Sequence, residues 1–443
     1  MKTKILIFFI IFTVLIFSIF YIIKFKSKSN TDLNSPKIVI IGLDGASWNF
    51  IRPLLEEGKL PNIKKIVNEG SYGTLQTIRP TRSIVIWTSI ATGKIPQKHG
   101  ILNWVFLKNK ELIPYRSNQK KVKAFWNILS EIGFKVGIVN WLATFPSERV
   151  RGFIVSDEFK RGRRLDPLKI ELTYPVTLYK KIEFAYKGKK DFINILEKEK
   201  LPNYYKLFSG KKEQGKLITL YPNFVVNEKT IELAGLYLYK RFPVHVFAIY
   251  FRLIDVVSHF ASGFLSSELR ERALKEEKEG GISEKTLSQI NKEFSRIIEP
   301  VYAYSDRIIG RFLKFTGSDT TFFVISDHGF SYHRGGYGHS DTPEVPHGII
   351  LVKGPNIKKN YEIKNACIYD IVPTILFILN LPIGKDMDGK VLKEIFNEDF
   401  LKKRAVRYIN SYEGKIRLDD LKRNKVLDEE LIKELKALGY IDK

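Results

Sequence analysis

Cysteine is almost absent from this chain: Cys367 is the only one in 443 residues. Intrachain disulfides and thiolate metal clusters are therefore excluded, while the compartment stays open, because many exported proteins carry no disulfide. Acidic residues are also in short supply, 48 Asp and Glu against 73 Lys and Arg, for a net charge of +25. That surplus suits anionic partners such as lipid headgroups, nucleic acid or phosphorylated substrates. The lysines are spread along the chain without a dense block, however, so a solvated basic surface also accounts for them. Zinc-finger spacing and RNA-binding signatures are missing, and no specific nucleic-acid partner is expected. No internal repeat is present. The turn IGLDGAS lacks the G-x-G-x-x-G loop of dinucleotide binders. Histidine is scarce, with seven in the chain.

Hydrophobic residues make up 44% of the sequence, enough to bury the core of one large α/β domain with insertions, or of two domains. From Ile5 to Ile23 there is no charged residue, and Lys2, Lys4, Lys24, Lys26 and Lys28 flank the run. As a helix it would be roughly 28 Å long, close to a bilayer core of about 30 Å. It exceeds a signal-peptide core, and no small-residue cleavage site follows. Residues 1–30 are thus expected to be an uncleaved single-pass membrane anchor, with the domain that follows extracytoplasmic. A short polar linker over 28–36 leads to that domain.

Five apolar runs read as buried strands: KIVIIGL (37–43), FKVGIVNW (134–141), HVFAIYFRL (245–253), TTFFVISD (320–327) and GIILVKG (348–354). Helical spacing appears in KAFWNILSEIG (123–133) and from about 286 to 315. Strands alternating with helices predict an α/β fold, a mostly parallel central sheet sandwiched by helices. The domain is expected over 36–400. Residues 158–243 are basic, Tyr-rich and poorly periodic, and read as an inserted cap subdomain. Residues 262–285 form a charged helical excursion, and 401–443 a charged helical C-terminal tail with a short amphipathic helix near Asp428–Leu438.

Three of the strands lead into carboxylates: Asp44, Asp255 and Asp327. In a parallel sheet the strand ends share one edge, where ligands bind. Three acids there would repel one another unless cations lay between them, and histidines suit such ions. His259 follows Asp255 by four residues, one helical turn, and His328 adjoins Asp327. His339 and His347 follow within twenty residues. The segment IRPTRSIVIWTSIATGKIPQKHGI (78–101) offers hydroxyls at a helix start, Thr81 and Ser83, where the helix dipole and free N–H groups favour a nucleophilic oxygen. Each feature alone is more often a cap or a packed residue; their coincidence in one chain points to a metal site.

Four blocks, IIGLDG (40–45), SIVIWTSIATGKIPQKHGI (83–101), IDVVSH (254–259) and ISDHGF (325–330), resemble the alkaline phosphatase superfamily, and within it the type I phosphodiesterase/nucleotide pyrophosphatase family. IYDIVPTIL and DMDGKVL (368–376 and 386–392) are similar to its closing segment. The resemblance implies two divalent metal ions, zinc or else manganese or iron. Asp44, Asp327, His328 and the nucleophile Ser83 would hold one ion. Asp255, His259 and His339 would hold the other, with His347 the alternative third histidine. Ser83 rather than Thr81 follows from its place four residues before Trp87, and Asn103 corresponds to a substrate-binding position. The implied activity is phosphoester hydrolysis through a phosphoseryl intermediate, on a nucleotide, lipid headgroup or phosphorylated glycan. The alternatives are a membrane-associated phospho-headgroup transferase and a phosphomonoesterase. A sulfatase would need a Cys/Ser-x-Pro-x-Arg motif, and Ser83 is followed by Ile-Val-Ile.

Overall fold

The computed structural model describes residues 37–160, 171–185, 187–204, 217–261, 265–333, 336–339, 345–414, 425–438 and 440–441. The expected anchor and linker lie outside the described residues. Among those described, no helix is long and apolar enough to cross a membrane.

One nine-stranded sheet organises the domain. In spatial order its strands are Tyr361–Cys367, Ser71–Gln76, Gly348–Lys353, Thr321–Ile325, Ile38–Leu43, Val246–Phe251, Val136–Val139, Gly152–Val155 and Thr173–Tyr174. Ile38–Leu43 lies at the centre and pairs in parallel with both Val246–Phe251 and Thr321–Ile325. Only Gly348–Lys353 and Thr173–Tyr174 run antiparallel to their neighbours. The central strands are aliphatic on both faces because both faces are covered. Val39, Ile41 and Leu43 enter one core cluster and Ile38 and Ile40 the other.

All five expected strands form, each within a few residues of its apolar run. The short helix is Phe125–Glu131 and the long one Glu284–Leu313, and helix Ser267–Lys278 falls in the charged excursion. Four strands of the nine-stranded sheet escape sequence reading. Ser71–Gln76, for example, carries little β-branched character and is defined by its neighbours on either side.

Within 158–243, expected as a cap, helix Leu217–Arg241 packs against the sheet. Its Val225, Ala234 and Leu238 share a core cluster with Phe247 and Ile249. The C-terminal helix Lys425–Leu438 is likewise packed down. Leu427, Leu431, Leu435 and Leu438 form one buried stripe at helical spacing, so the expected tail belongs to the folded body.

Candidate active site

Three neighbouring parallel strands deliver the acidic residues to one sheet edge. Asp44 directly follows Ile38–Leu43, and its N–H donates to the Phe251 carbonyl at 2.8 Å. Asp327 and His328 follow Thr321–Ile325. After Val246–Phe251 the chain turns into helix Leu253–Ala261, where Asp255 and His259 stand one turn apart. The start of that helix is set by Glu228, whose buried carboxylate accepts from the N–H groups of Arg252 and Leu253 at 3.3 and 3.1 Å. Burial raises the Glu228 pKa to about 7.

Ser83 opens helix Ser83–Thr92 and is fully buried. Its Oγ lies 3.2 Å from His328 Nε2 and 3.4 Å from Asp44 Oδ1. His328 Nε2 in turn lies 3.4 Å from Asp44 Oδ1 and 3.3 Å from Asp327 Oδ2. A second group adjoins the first: His259 Nε2 is 3.0 Å from His339 Nε2 and 3.4 Å from Asp255 Oδ1, and His339 Nε2 is 3.6 Å from Asp255 Oδ1. The His328 and His339 rings stack between the groups, 3.9 Å apart with planes at 16°.

These separations fit a metal site. Ligand atoms roughly 2.0–2.1 Å from a tetrahedral ion lie about 3.3 Å from one another. The buried oxygens Asp255 Oδ1 and Asp327 Oδ2 have no hydrogen-bond partner among the described residues. Their opposite oxygens are engaged: Asp255 Oδ2 accepts from the Tyr440 hydroxyl at 2.6 Å, and Asp327 Oδ1 from the Gly45 N–H at 3.2 Å. Asp44 Oδ2 accepts from the Tyr250 hydroxyl. Each carboxylate thus keeps one oxygen held and one turned toward the histidines. The histidines are oriented in the same way. His328 Nδ1 lies 3.1 Å from the Gly329 carbonyl and His339 Nδ1 2.9 Å from the Thr81 carbonyl. Carbonyls only accept, so both Nδ1 atoms carry the proton and both Nε2 lone pairs face inward.

Charge leads to the same conclusion. Burial, then the charges of Asp327 and Asp255, pushes Asp44 well above the ordinary carboxylate range. Burial, then the charge of Asp255, raises Asp327 to about 7. Burial would raise Asp255 as well, but the neighbouring imidazoles, His259 first and then His339 and His328, together outweigh it and the net shift is downward. Burial holds His328 and His339 below the usual imidazole range. A buried set of carboxylates and neutral imidazoles, with two acids resisting ionisation, is what a divalent cation relieves.

Of the residues singled out in the sequence, Asp44, Ser83, Asp255, His259, Asp327, His328 and His339 lie together. His347 does not join them: its Nδ1 accepts from the Thr77 N–H at 3.1 Å. Thr81 contributes its carbonyl to His339, and its hydroxyl has no partner among the described residues. Asn103 Oδ1 accepts from the Trp104 N–H at 2.8 Å and makes no hydrogen bond to the cluster. Sequence reasoning missed Tyr250, Tyr440 and Glu228. Tyr250 had a faint signal, a hydroxyl within an otherwise apolar strand; nothing local marks Tyr440.

The profile described as type I phosphodiesterase / nucleotide pyrophosphatase matches residues 38–338. A 2,3-bisphosphoglycerate-independent phosphoglycerate mutase from Prochlorococcus marinus is 35% identical over 108 residues, 22% of this chain and 20% of the mutase. The match therefore spans about a fifth of that enzyme. Among solved structures, a putative sulfatase from Bacteroides thetaiotaomicron aligns over 82% of this chain and 76% of its own, at 11% identity and TM-score 0.48. Human ectonucleotide pyrophosphatase / phosphodiesterase 5 aligns over 82% and 100%, at 12% identity and TM-score 0.45.

Proposed function

The chain belongs to the type I phosphodiesterase/nucleotide pyrophosphatase family, hydrolases of the alkaline phosphatase superfamily, and on that premise we propose that it cleaves phosphodiesters with Ser83 as nucleophile at a two-metal centre. Asp44, Asp327, His328 and Ser83 would hold one divalent ion; Asp255, His259 and His339 would hold the other. Ions so placed supply Lewis acidity, lowering the pKa of a hydroxyl and offsetting charge on phosphoryl oxygens. Imidazole with carboxylate donors suits zinc, and manganese or iron fits the same set.

The observation that carries the assignment is the place of Ser83 Oγ, within 3.4 Å of both Asp44 Oδ1 and His328 Nε2. Thr81, the other candidate hydroxyl, has no such neighbours among its contacts. Ser83 is also the first residue of its helix, so negative charge developing on Oγ meets the positive end of the dipole. Attack by Oγ forms a Ser–O–P bond as the bond from phosphorus to the leaving oxygen breaks. Water then cleaves the phosphoseryl ester and frees the hydroxyl. His328 carries its proton on Nδ1, so its Nε2 and the Asp44 carboxylate are both free to face an ion shared with the Ser83 oxygen.

The test uses the full chain on a chromogenic phosphodiester and the matching monoester, with zinc or with chelator, in wild type and Ser83→Ala. Diester turnover is expected, abolished by chelator and reduced about a thousandfold or more by the substitution. A wild-type protein that binds metal yet cleaves neither ester would sink the hydrolase reading and direct attention to headgroup transfer.

A further inference from the structure

We propose that Tyr440, delivered by the C-terminal helix, is a positioning residue for Asp255: its hydroxyl holds Oδ2 so that Oδ1 alone faces His259, His339 and a divalent ion. The inference rests on the metal reading above and extends it to a segment outside the family match, which ends at residue 338.

The contacts of Tyr440 converge on one ligand group. Its hydroxyl donates to Asp255 Oδ2 at 2.6 Å and lies 3.1 Å from His259 Nε2. Its ring meets the His259 ring edge-on, with centroids 5.1 Å apart and planes at 85°. On its other side it packs against Trp104 at 5.1 Å. Asp255 needs such a partner. It sits in the first turn of helix Leu253–Ala261, and its Oδ1 accepts no hydrogen bond among the described residues. Without a donor on Oδ2, the carboxylate can turn about its Cβ–Cγ bond and offer the histidine pair either oxygen or both. With Oδ2 held, it is committed to one.

The same device serves the other two acids, through the Tyr250 hydroxyl on Asp44 Oδ2 and the Gly45 N–H on Asp327 Oδ1. Tyr250 and Gly45 belong to the central strands and the turn beside them. Tyr440 comes from 185 residues further along the chain than Asp255.

The chain is built to hold Tyr440 there. Arg252, three residues before Asp255 and buried, pairs with Glu434 at 2.5 Å. Arg116, also buried, pairs with Asp428 at 3.0 Å. The stripe Leu427, Leu431, Leu435 and Leu438 closes the helix onto both core clusters. Just past the helix end, the Tyr440 N–H donates to the Leu435 carbonyl at 2.9 Å, which fixes the backbone from which the side chain enters the site. A merely solvated tail needs none of these anchors.

Titration calorimetry with zinc on the full chain tests the proposal, with Tyr440→Phe removing one oxygen and keeping the ring. Wild type should take up two ions. In Tyr440→Phe one of the two should bind about 10- to 100-fold more weakly, the usual cost of losing an outer partner of a ligand. The metal-free variant should still unfold cooperatively, its melting temperature lowered only by the loss of one buried hydrogen bond. His259→Ala should remove the same ion that Tyr440→Phe weakens, and Tyr250→Phe should weaken the other. If Tyr440→Phe binds both ions as wild type does, the positioning role is overturned. It is equally overturned if only Tyr440→Leu, which also loses the ring, weakens binding, since packing then suffices. Wild type that binds no zinc would overturn the metal reading itself, and this inference with it.

Discussion

Replacing Asp327 by Asn should stabilise the metal-free protein at neutral pH while impairing its metal binding. Asp327 is fully buried; its Oδ1 accepts from Gly45, and its Oδ2 lies 3.3 Å from the unprotonated Nε2 of His328. An Asn in the same rotamer keeps the Gly45 bond and points an amide N–H at that nitrogen. Burial, then the charge of Asp255, raises the Asp327 pKa from 3.8 to about 7. The folded state therefore binds more protons than the unfolded chain between these values, and this residue's contribution to stability falls as pH rises through that window. The full shift corresponds to about 4 kcal/mol. An Asn is neutral throughout, so the stability gap between variant and wild type should be near zero at about pH 4 and approach that value above pH 7. Comparing the two proteins cancels most of the opposing effects of His328 and His339. Urea unfolding in chelator across this range measures the gap. A gap that does not change with pH, or one that opens toward acid, would refute the claim that negative charge is confined here. Zinc should then narrow the gap, since an ion at a hundred times its dissociation constant adds about 2.7 kcal/mol to a protein that retains its ligands.

Two further outcomes follow from the site's construction. Gly45 has φ +75°, and a Cβ there would lie 2.7 Å from the Phe330 ring and 3.1 Å from the Asp255 Cα. Gly45→Ala should lower stability by about 1–3 kcal/mol and weaken zinc binding, both visible in melting curves with and without zinc. His339→Ala should abolish binding of one ion in calorimetry, whereas His347→Ala should leave both ions and diester turnover close to wild type. The opposite pattern would exchange the roles of the two histidines.

Much of this protein was legible in one dimension because the relevant signals are local. Runs such as KIVIIGL and TTFFVISD, short and rich in β-branched residues, favour buried strands, and an acid after such a strand lies at the sheet edge. The i, i+4 spacing of Asp255 and His259 specifies a shared helix face wherever that helix sits. The leucine stripe from Leu427 to Leu438 likewise demands an apolar partner, although the charged residues between those leucines make the segment resemble a free tail. Tertiary structure alone decided which distant groups meet. His339 and His347 are both histidines close behind the same strand, yet one turns its Nε2 to Asp255 and the other accepts from Thr77. Ser83 and Thr81 are both hydroxyls at a helix start, and only the fold points Ser83 at His328. The partners of the carboxylates were invisible because a hydrogen bond between Tyr440 and Asp255 leaves no periodicity in sequence. It exists only because two buried ion pairs and a packed helix bring together residues 185 positions apart.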